Sequence, residues 1–118
     1  MKRILVVEDD PLTREAYQDL FYILGYATLM ACDGNQGLAL AVSENPDLII
    51  SDKQMPGMDG YAMVKELKSN PQTRNIPILG CGSFSAEEQK ILDYYVEKGS
   101  SAGFSELVRK ILGEPNKS

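Results

Sequence analysis

Short apolar runs alternate along this chain with stretches of helical periodicity, and that alternation narrows the fold more than any other feature. Ile4-Leu-Val-Val7 has no polar position and is rich in β-branched residues, which suits a strand buried on both faces. Asp10-Pro11 follows, an N-cap residue and a proline fitted to the first helical position. Leu12, Ala16, Leu20, Phe21 and Leu24 then recur at helical spacing, and Gly25 ends the stretch. Ala27 to Ala31 reads as a second, weaker strand. Asn35 to Glu44 reads as a helix with Leu38 and Ala41 or Val42 inward. Asp47-Leu-Ile-Ile-Ser-Asp52 is a third strand, nearly all apolar until its end. Gly60 to Ser69 is a third helix with Met63, Val64 and Leu67 inward, and Ile76-Pro-Ile-Leu-Gly-Cys81 is a fourth strand.

Strands alternating with helices imply parallel pairing through right-handed crossovers, hence an α/β sheet covered on both faces. In open sheets of this kind a site lies beyond the carboxyl ends of the strands, near the switch point. The first strand runs directly into Glu8 and Asp9, and the third closes on Asp52. If those strands are neighbours, three carboxylates share one small volume. Such crowding requires a hard cation or a protonated member, and oxygen ligands with open positions suit Mg2+. Asp10, beside Pro11, is explained by capping alone.

Composition removes most other readings. The 118 residues fit one domain, and a net charge of -5 disfavours nucleic acid and anionic lipid; no Lys/Arg stripe offsets it. Histidine is absent, which excludes His-based metal sites, Ser-His-Asp triads and a phosphohistidine of the chain's own. Cys32 and Cys81 match no metal-ligand spacing and read as small apolar residues in a reducing cytosol. No apolar run approaches the ~20 residues that span a bilayer. The run after Met1-Lys2-Arg3 is also too short for a signal peptide, so the expected location is cytoplasmic.

The most specific string is Asp52-Lys-Gln-Met-Pro-Gly-Met-Asp-Gly60. With Ile4-Leu-Val-Val-Glu-Asp-Asp-Pro11, and with Gly25-Tyr26, Asp33-Gly34 and Pro46-Asp47-Leu48 between them, it closely resembles the receiver domains of two-component response regulators. The resemblance is strong from residue 1 to about 79 and weaker beyond. It implies a flavodoxin-like, doubly wound five-stranded parallel sheet of order 2-1-3-4-5 in three α/β/α layers, with a receiver domain at 1–113 and a polar tail at 114–118. It further implies that Asp52 accepts a phosphoryl group from a histidine kinase or phosphotransfer protein. Glu8, Asp9, Asp52 and the backbone carbonyl of Gln54 would hold Mg2+, and Gln54 would control the approach of water to the acyl phosphate. Pro56-Gly57 and Gly60 also suit a tight turn and a helix start. Lys53 reads as a solvated charge.

The C-terminal third departs from the family's pattern. Aligning Ile76-Pro77 puts Gly82 where the family carries a Thr or Ser that bonds the phosphoryl oxygen. Ser83, one residue on, serves only if the strand has already ended, since a one-residue offset within a strand reverses its face. Two registers compete for the fifth strand. In one, Tyr94 to Lys98 is the strand and Lys98 the family's phosphate lysine, but Ser83 to Asp93 is then short for a parallel crossover. In the other, which is preferred, Ser85 to Lys98 is a fourth helix opened by the capping box Ser85-Ala-Glu-Glu88 and ended by Gly99. Ile91, Leu92 and Tyr95 then form its inward stripe. The fifth strand shrinks to Ala102-Gly103-Phe104, Phe104 takes the place of the family's switch aromatic, and Ser105 caps a last helix bearing Leu107, Val108, Ile111 and Leu112.

The leading expectation is a phosphoacceptor domain that signals to a downstream protein by contact, without catalytic turnover. The second is a pseudo-receiver that binds its partner without phosphorylation, because the hydroxyl and the lysine look lost. A Mg2+-dependent phosphohydrolase is the third, and the absence of a second acid two residues after Asp52 counts against it. A monomer or weak homodimer is expected; Tyr94, Tyr95 and Val96 could leave apolar surface for a dimer through the fourth-helix to fifth-helix face, though core burial explains the same residues more cheaply. The sequence leaves open whether the domain is stand-alone or part of a longer regulator.

Overall fold

The computed structural model describes residues 1–97 and 103–113. Strands β1 (Arg3–Val7), β2 (Ala27–Ala31), β3 (Leu48–Asp52), β4 (Ile78–Cys81) and β5 (Tyr94–Val96) form one sheet in the order β2-β1-β3-β4-β5. Every pairing is parallel, and β1 is hydrogen-bonded to both β2 and β3. Helices α1 (Pro11–Leu24), α2 (Gly34–Glu44), α3 (Gly60–Ser69) and α4 (Phe104–Leu112) complete the three-layer, flavodoxin-like fold.

Alternation along the central strands divides the interior into two cores, because successive side chains leave opposite faces of a sheet. Ile4, Val6, Leu48, Ile50 and Leu79 face α1 and α4, where they meet Phe21, Phe104 and Val108. Leu5, Val7, Ile49 and Ile78 face α2 and α3, where they meet Ala41, Met63, Val64 and Leu67. Three helices start on an aspartate whose carboxylate accepts a backbone N–H in the first turn: Asp10 from Thr13, Asp33 from Gln36 and Asp59 from Ala62.

The buried stripe of α1 is shifted from the one that spacing predicts. Leu12 is 78% exposed and Ala16 is also outward, while Tyr17, Leu20, Phe21 and Leu24 pack on the sheet. Of the alternatives in α2, Ala41 is buried and Val42 is exposed. Strand β4 begins at Ile78 and not at Ile76, because Pro77 has no N–H to pair and the Ile76 N–H is donated to the Thr73 carbonyl.

The C-terminal third takes the register that the sequence disfavoured. Tyr94–Val96 is β5, and the connection from β4 carries only a 3-10 turn, Glu88–Ile91, in place of the expected helix from Ser85 to Lys98. So short a connection is possible because it lies flat on the sheet. Gly80 is buried in β4, and a Cβ there would come 2.4 Å from Leu92 Cδ1 and 3.0 Å from Phe84 Cε2. The missing side chain is the space that the connection fills. The predicted capping box does form, with Glu88 N donating to Ser85 Oγ (3.1 Å) and Ser85 N donating to Glu88 Oε1 (2.9 Å). It opens a single turn, because Asp93 Oδ2 accepts both the Ile78 N–H (2.8 Å) and Lys68 Nζ (2.7 Å) and so sets the start of β5.

Phe104 therefore does not end a strand. It is the first residue of α4, 8% exposed, with its ring 5.9 Å from that of Tyr17 and 6.1 Å from that of Phe21. Gly103, not Ser105, is the N-cap residue of α4. Tyr95 and Val96 are half-buried in β5, and Tyr94 is exposed. Gly99, Ala102 and the tail 114–118 lie outside the described residues.

Candidate functional site

The pairing of β1 with β3 sets Val7 opposite Ser51, so the residues that follow in each strand leave the sheet side by side. Glu8, Asp9 and Asp52 consequently each offer a carboxylate oxygen within 4.8 Å of the others. Glu8 is 2% exposed and Asp52 8%, while Asp9 is open to solvent.

Backbone groups hold the cluster in place. The Glu8 N–H donates to the Ala31 carbonyl, Glu8 Oε2 accepts the Asp10 N–H (3.1 Å), and Arg14 Nη1 donates to the Glu8 carbonyl (2.9 Å). The Lys53 N–H donates to Asp52 Oδ1 (2.8 Å), and Ser51 Oγ donates to the Asp52 carbonyl (2.7 Å). Gly60 N donates to the Lys53 carbonyl (2.7 Å) and draws the loop after β3 back under α3. Two buried carboxylates with a third at the rim repel one another unless a cation or proton intervenes. This donor set of carboxylate oxygens with an open side fits a hard divalent cation such as Mg2+.

Beside the cluster lies a cleft of about 450 Å³ lined by Asp52, Gln54, Gly82, Ser83, Tyr95 and Glu97. Gly82 has φ +91°, a conformation that a Thr or Ser adopts only under strain, so glycine here is a backbone joint that ends β4. The condition for Ser83 is thereby met: β4 has ended at Cys81, and Ser83 turns to the cleft. Lys98 lies outside the described residues. Phe104 is not brought to the site; it belongs to the core between the sheet, α1 and α4.

Tyr95 and Glu97 are the cleft residues that sequence reasoning missed. The signal was the first register, set aside because its connection looked too short. The Tyr95 hydroxyl donates to the Gly82 carbonyl, and its ring meets Phe84 edge-on at 6.4 Å. Lys53 is also not the free surface charge expected. Its Nζ lies 3.0 Å from Glu88 Oε2, with the two side chains 23% and 20% exposed. The Ser85 backbone N–H, and after it Lys53, hold the Glu88 carboxyl below the usual range. Behind the site the Tyr17 hydroxyl donates to Cys81 Sγ at 3.6 Å, and burial pushes its pKa well above that of a free phenol.

Fold and site together define a class: a three-layer α/β domain that presents a buried aspartate beside two further acids at the carboxyl edge of a parallel sheet. The sequence matches the response-regulator receiver domain family over residues 4–114, and the chain belongs to that family. As a receiver it is a phosphoacceptor that signals by protein contact, not an enzyme that turns over a substrate.

The polar-differentiation response regulator DivK of Brucella ovis is 32% identical over 120 residues, covering 96% of this chain and 98% of that protein. Among solved structures, the response regulator TrrA of Thermotoga maritima in complex with Mg2+ and BeF is 31% identical, with a TM-score of 0.85 over 94% of this chain and 99% of that one. The receiver domain of a signal transduction histidine kinase from Syntrophus aciditrophicus is 29% identical, with a TM-score of 0.87 over 100% and 95%. TrrA has also been solved in complex with the histidine kinase ThkA; that TrrA chain is 32% identical over 95% of this chain and 99% of its own.

Proposed function

We propose that Asp52 accepts the phosphoryl group of a histidine kinase or phosphotransfer protein, with Mg2+ held by Glu8, Asp9, Asp52 and the backbone carbonyl of Gln54. The observation that carries this reading is the convergence of three carboxylates within 4.8 Å at the ends of β1 and β3. When bound, Mg2+ supplies the positive charge that lets a carboxylate meet an anionic phosphoryl group. The chain's own residues do the rest. The Lys53 N–H orients one oxygen of Asp52, Glu8 and Asp9 would hold the metal, and Gln54 stands at the cleft where water would approach the acyl phosphate.

Ser83 is the candidate hydroxyl for the phosphoryl oxygens, a role supported by its position in the cleft. Lys98 is the candidate phosphate lysine, because the strand that forms, Tyr94–Val96, belongs to the register in which the resemblance assigns it that role. These two assignments weaken the pseudo-receiver alternative, which rests on the loss of both groups. The kinase partner is supported by the solved complex of TrrA with ThkA. Among the described residues no helix is long and apolar enough to cross a membrane.

The test is intact mass after incubation with Mg2+ and acetyl phosphate, wild type beside Asp52→Asn. One phosphoryl adduct on the wild type alone is expected. An unmodified wild type, with Mg2+ binding verified separately, would return the pseudo-receiver reading to first place.

A further inference from the structure

Lys53 is tied to the site twice. Its backbone N–H donates to Asp52 Oδ1, and its ammonium group reaches across to Glu88 in the β4–β5 connection. Glu88 is itself fixed by reciprocal hydrogen bonds with Ser85, two residues beyond Ser83 on the cleft wall. A cation next in sequence to the acceptor is thus shared with a carboxylate that has no part in the acidic cluster. Both side chains are partly exposed, so their fields act on the cleft but are open to screening by salt.

We propose that Lys53 is a positioning and charge-balancing residue for phosphoryl acceptance, and that Glu88 holds its charge partly in reserve. This rests on Asp52 being the acceptor. In the reaction an Asp52 oxygen bonds to phosphorus as the bond from phosphorus to the leaving acetate oxygen breaks. Negative charge then accumulates on Asp52, whose oxygen already accepts the Lys53 backbone N–H. A nearby cation favours that step, and a carboxylate paired with the cation opposes it. Neutralising the two partners therefore has opposite effects on the reaction, whereas a pair that only fastened the connection would give the same effect from either side.

The experiment measures the initial rate of acetyl phosphate labelling by intact mass, at saturating Mg2+ and at low and high ionic strength. It compares wild type, Lys53→Gln, Glu88→Gln and the charge swap Lys53→Glu with Glu88→Lys, all verified as folded by thermal denaturation. Lys53→Gln should slow labelling and Glu88→Gln should speed it, each by roughly two- to fivefold, as suits single partly exposed charges. Both differences should shrink at high salt. The swap should melt like the wild type yet label slowly, because the residue next to Asp52 then carries a negative charge. Equal slowing by both single variants, no change in either, or a swap that labels at the wild-type rate would overturn the proposal. If the wild type takes no adduct, the acceptor reading fails and this inference with it; that case is distinguished by every variant remaining equally unmodified.

Discussion

Gly60 lies so close beneath Asp52 that a Cβ built on it would stand 2.2 Å from the Asp52 carbonyl oxygen. The contact places the first turn of α3 directly against the end of β3, and the Gly60 N–H donation to the Lys53 carbonyl closes it. The backbone of Asp52 is thus set by the absence of a side chain eight residues along the chain.

Gly60→Ala should therefore damage the site as well as the fold. The obstructing atom is backbone and has no rotamer to escape through, so overpacking of about 1–3 kcal/mol is expected. Urea denaturation should show that loss. Acetyl phosphate labelling of the fraction that remains folded should also be slow, and labelling at the wild-type rate would mean that Asp52 tolerates a displaced loop.

Phe104→Leu separates a core residue from a switch residue. The ring is held against Tyr17 and Phe21, so its loss should cost about 1–2 kcal/mol in chemical denaturation. Labelling of Asp52 should be unaffected once folding is allowed for. A specific defect in labelling, with stability intact, would restore Phe104 to the site.

Asp93→Ala should loosen the sheet edge. The substitution removes the acceptor of the Ile78 N–H and the partner of Lys68, and leaving a part-buried donor unpaired costs about 1–3 kcal/mol. Hydrogen exchange at Ile78 and along β5 should accelerate while β1 and β3 stay protected. Uniform acceleration across the sheet would instead show that the edge and centre open together.

Tyr17 should shape the alkaline limit of stability. Burial, and less strongly Cys81, raise its pKa in the folded state. Below the unfolded pKa of about 10 the phenol is neutral in both states and titration adds no pH dependence. As pH rises past that value the unfolded chain ionises first, so the folded state loses stability. Tyr17→Phe should flatten that decline. Parallel curves for the variant and the wild type above pH about 10 would sink the assignment.

The first two-thirds of the fold was legible because local pattern and global position agree there. β1 and β3 are central strands, buried on both faces, and only an unbroken apolar run meets that demand. Met63, Val64 and Leu67 were likewise readable, since all three are buried at helical spacing on one face of α3. The acids Glu8, Asp9 and Asp52 could be placed because each follows a strand whose end the sequence marks. Leu12 misled because helical spacing alone does not say which of two neighbouring stripes is buried, and the sheet takes the one through Tyr17, Phe21 and Leu24.

The last third was not legible, because two local signals there yield to a long-range one. The Ser85–Glu88 capping box and the following Ile91 and Leu92 specify a helix start equally well whether one turn follows or several. By itself the sequence determined the alternating α/β architecture and the acidic cluster of Glu8, Asp9 and Asp52. Tertiary structure alone decided that Tyr94–Val96 is β5, that Tyr95 and Ser83 rather than Phe104 border the cleft, and that Lys53 is paired with Glu88. The physical reason is the bare surface of Gly80, against which Leu92 and Phe84 pack, and the Asp93 carboxylate that fastens the next residues to β4. Neither contact leaves a periodic trace in the chain, since each joins residues that meet only once the sheet has formed.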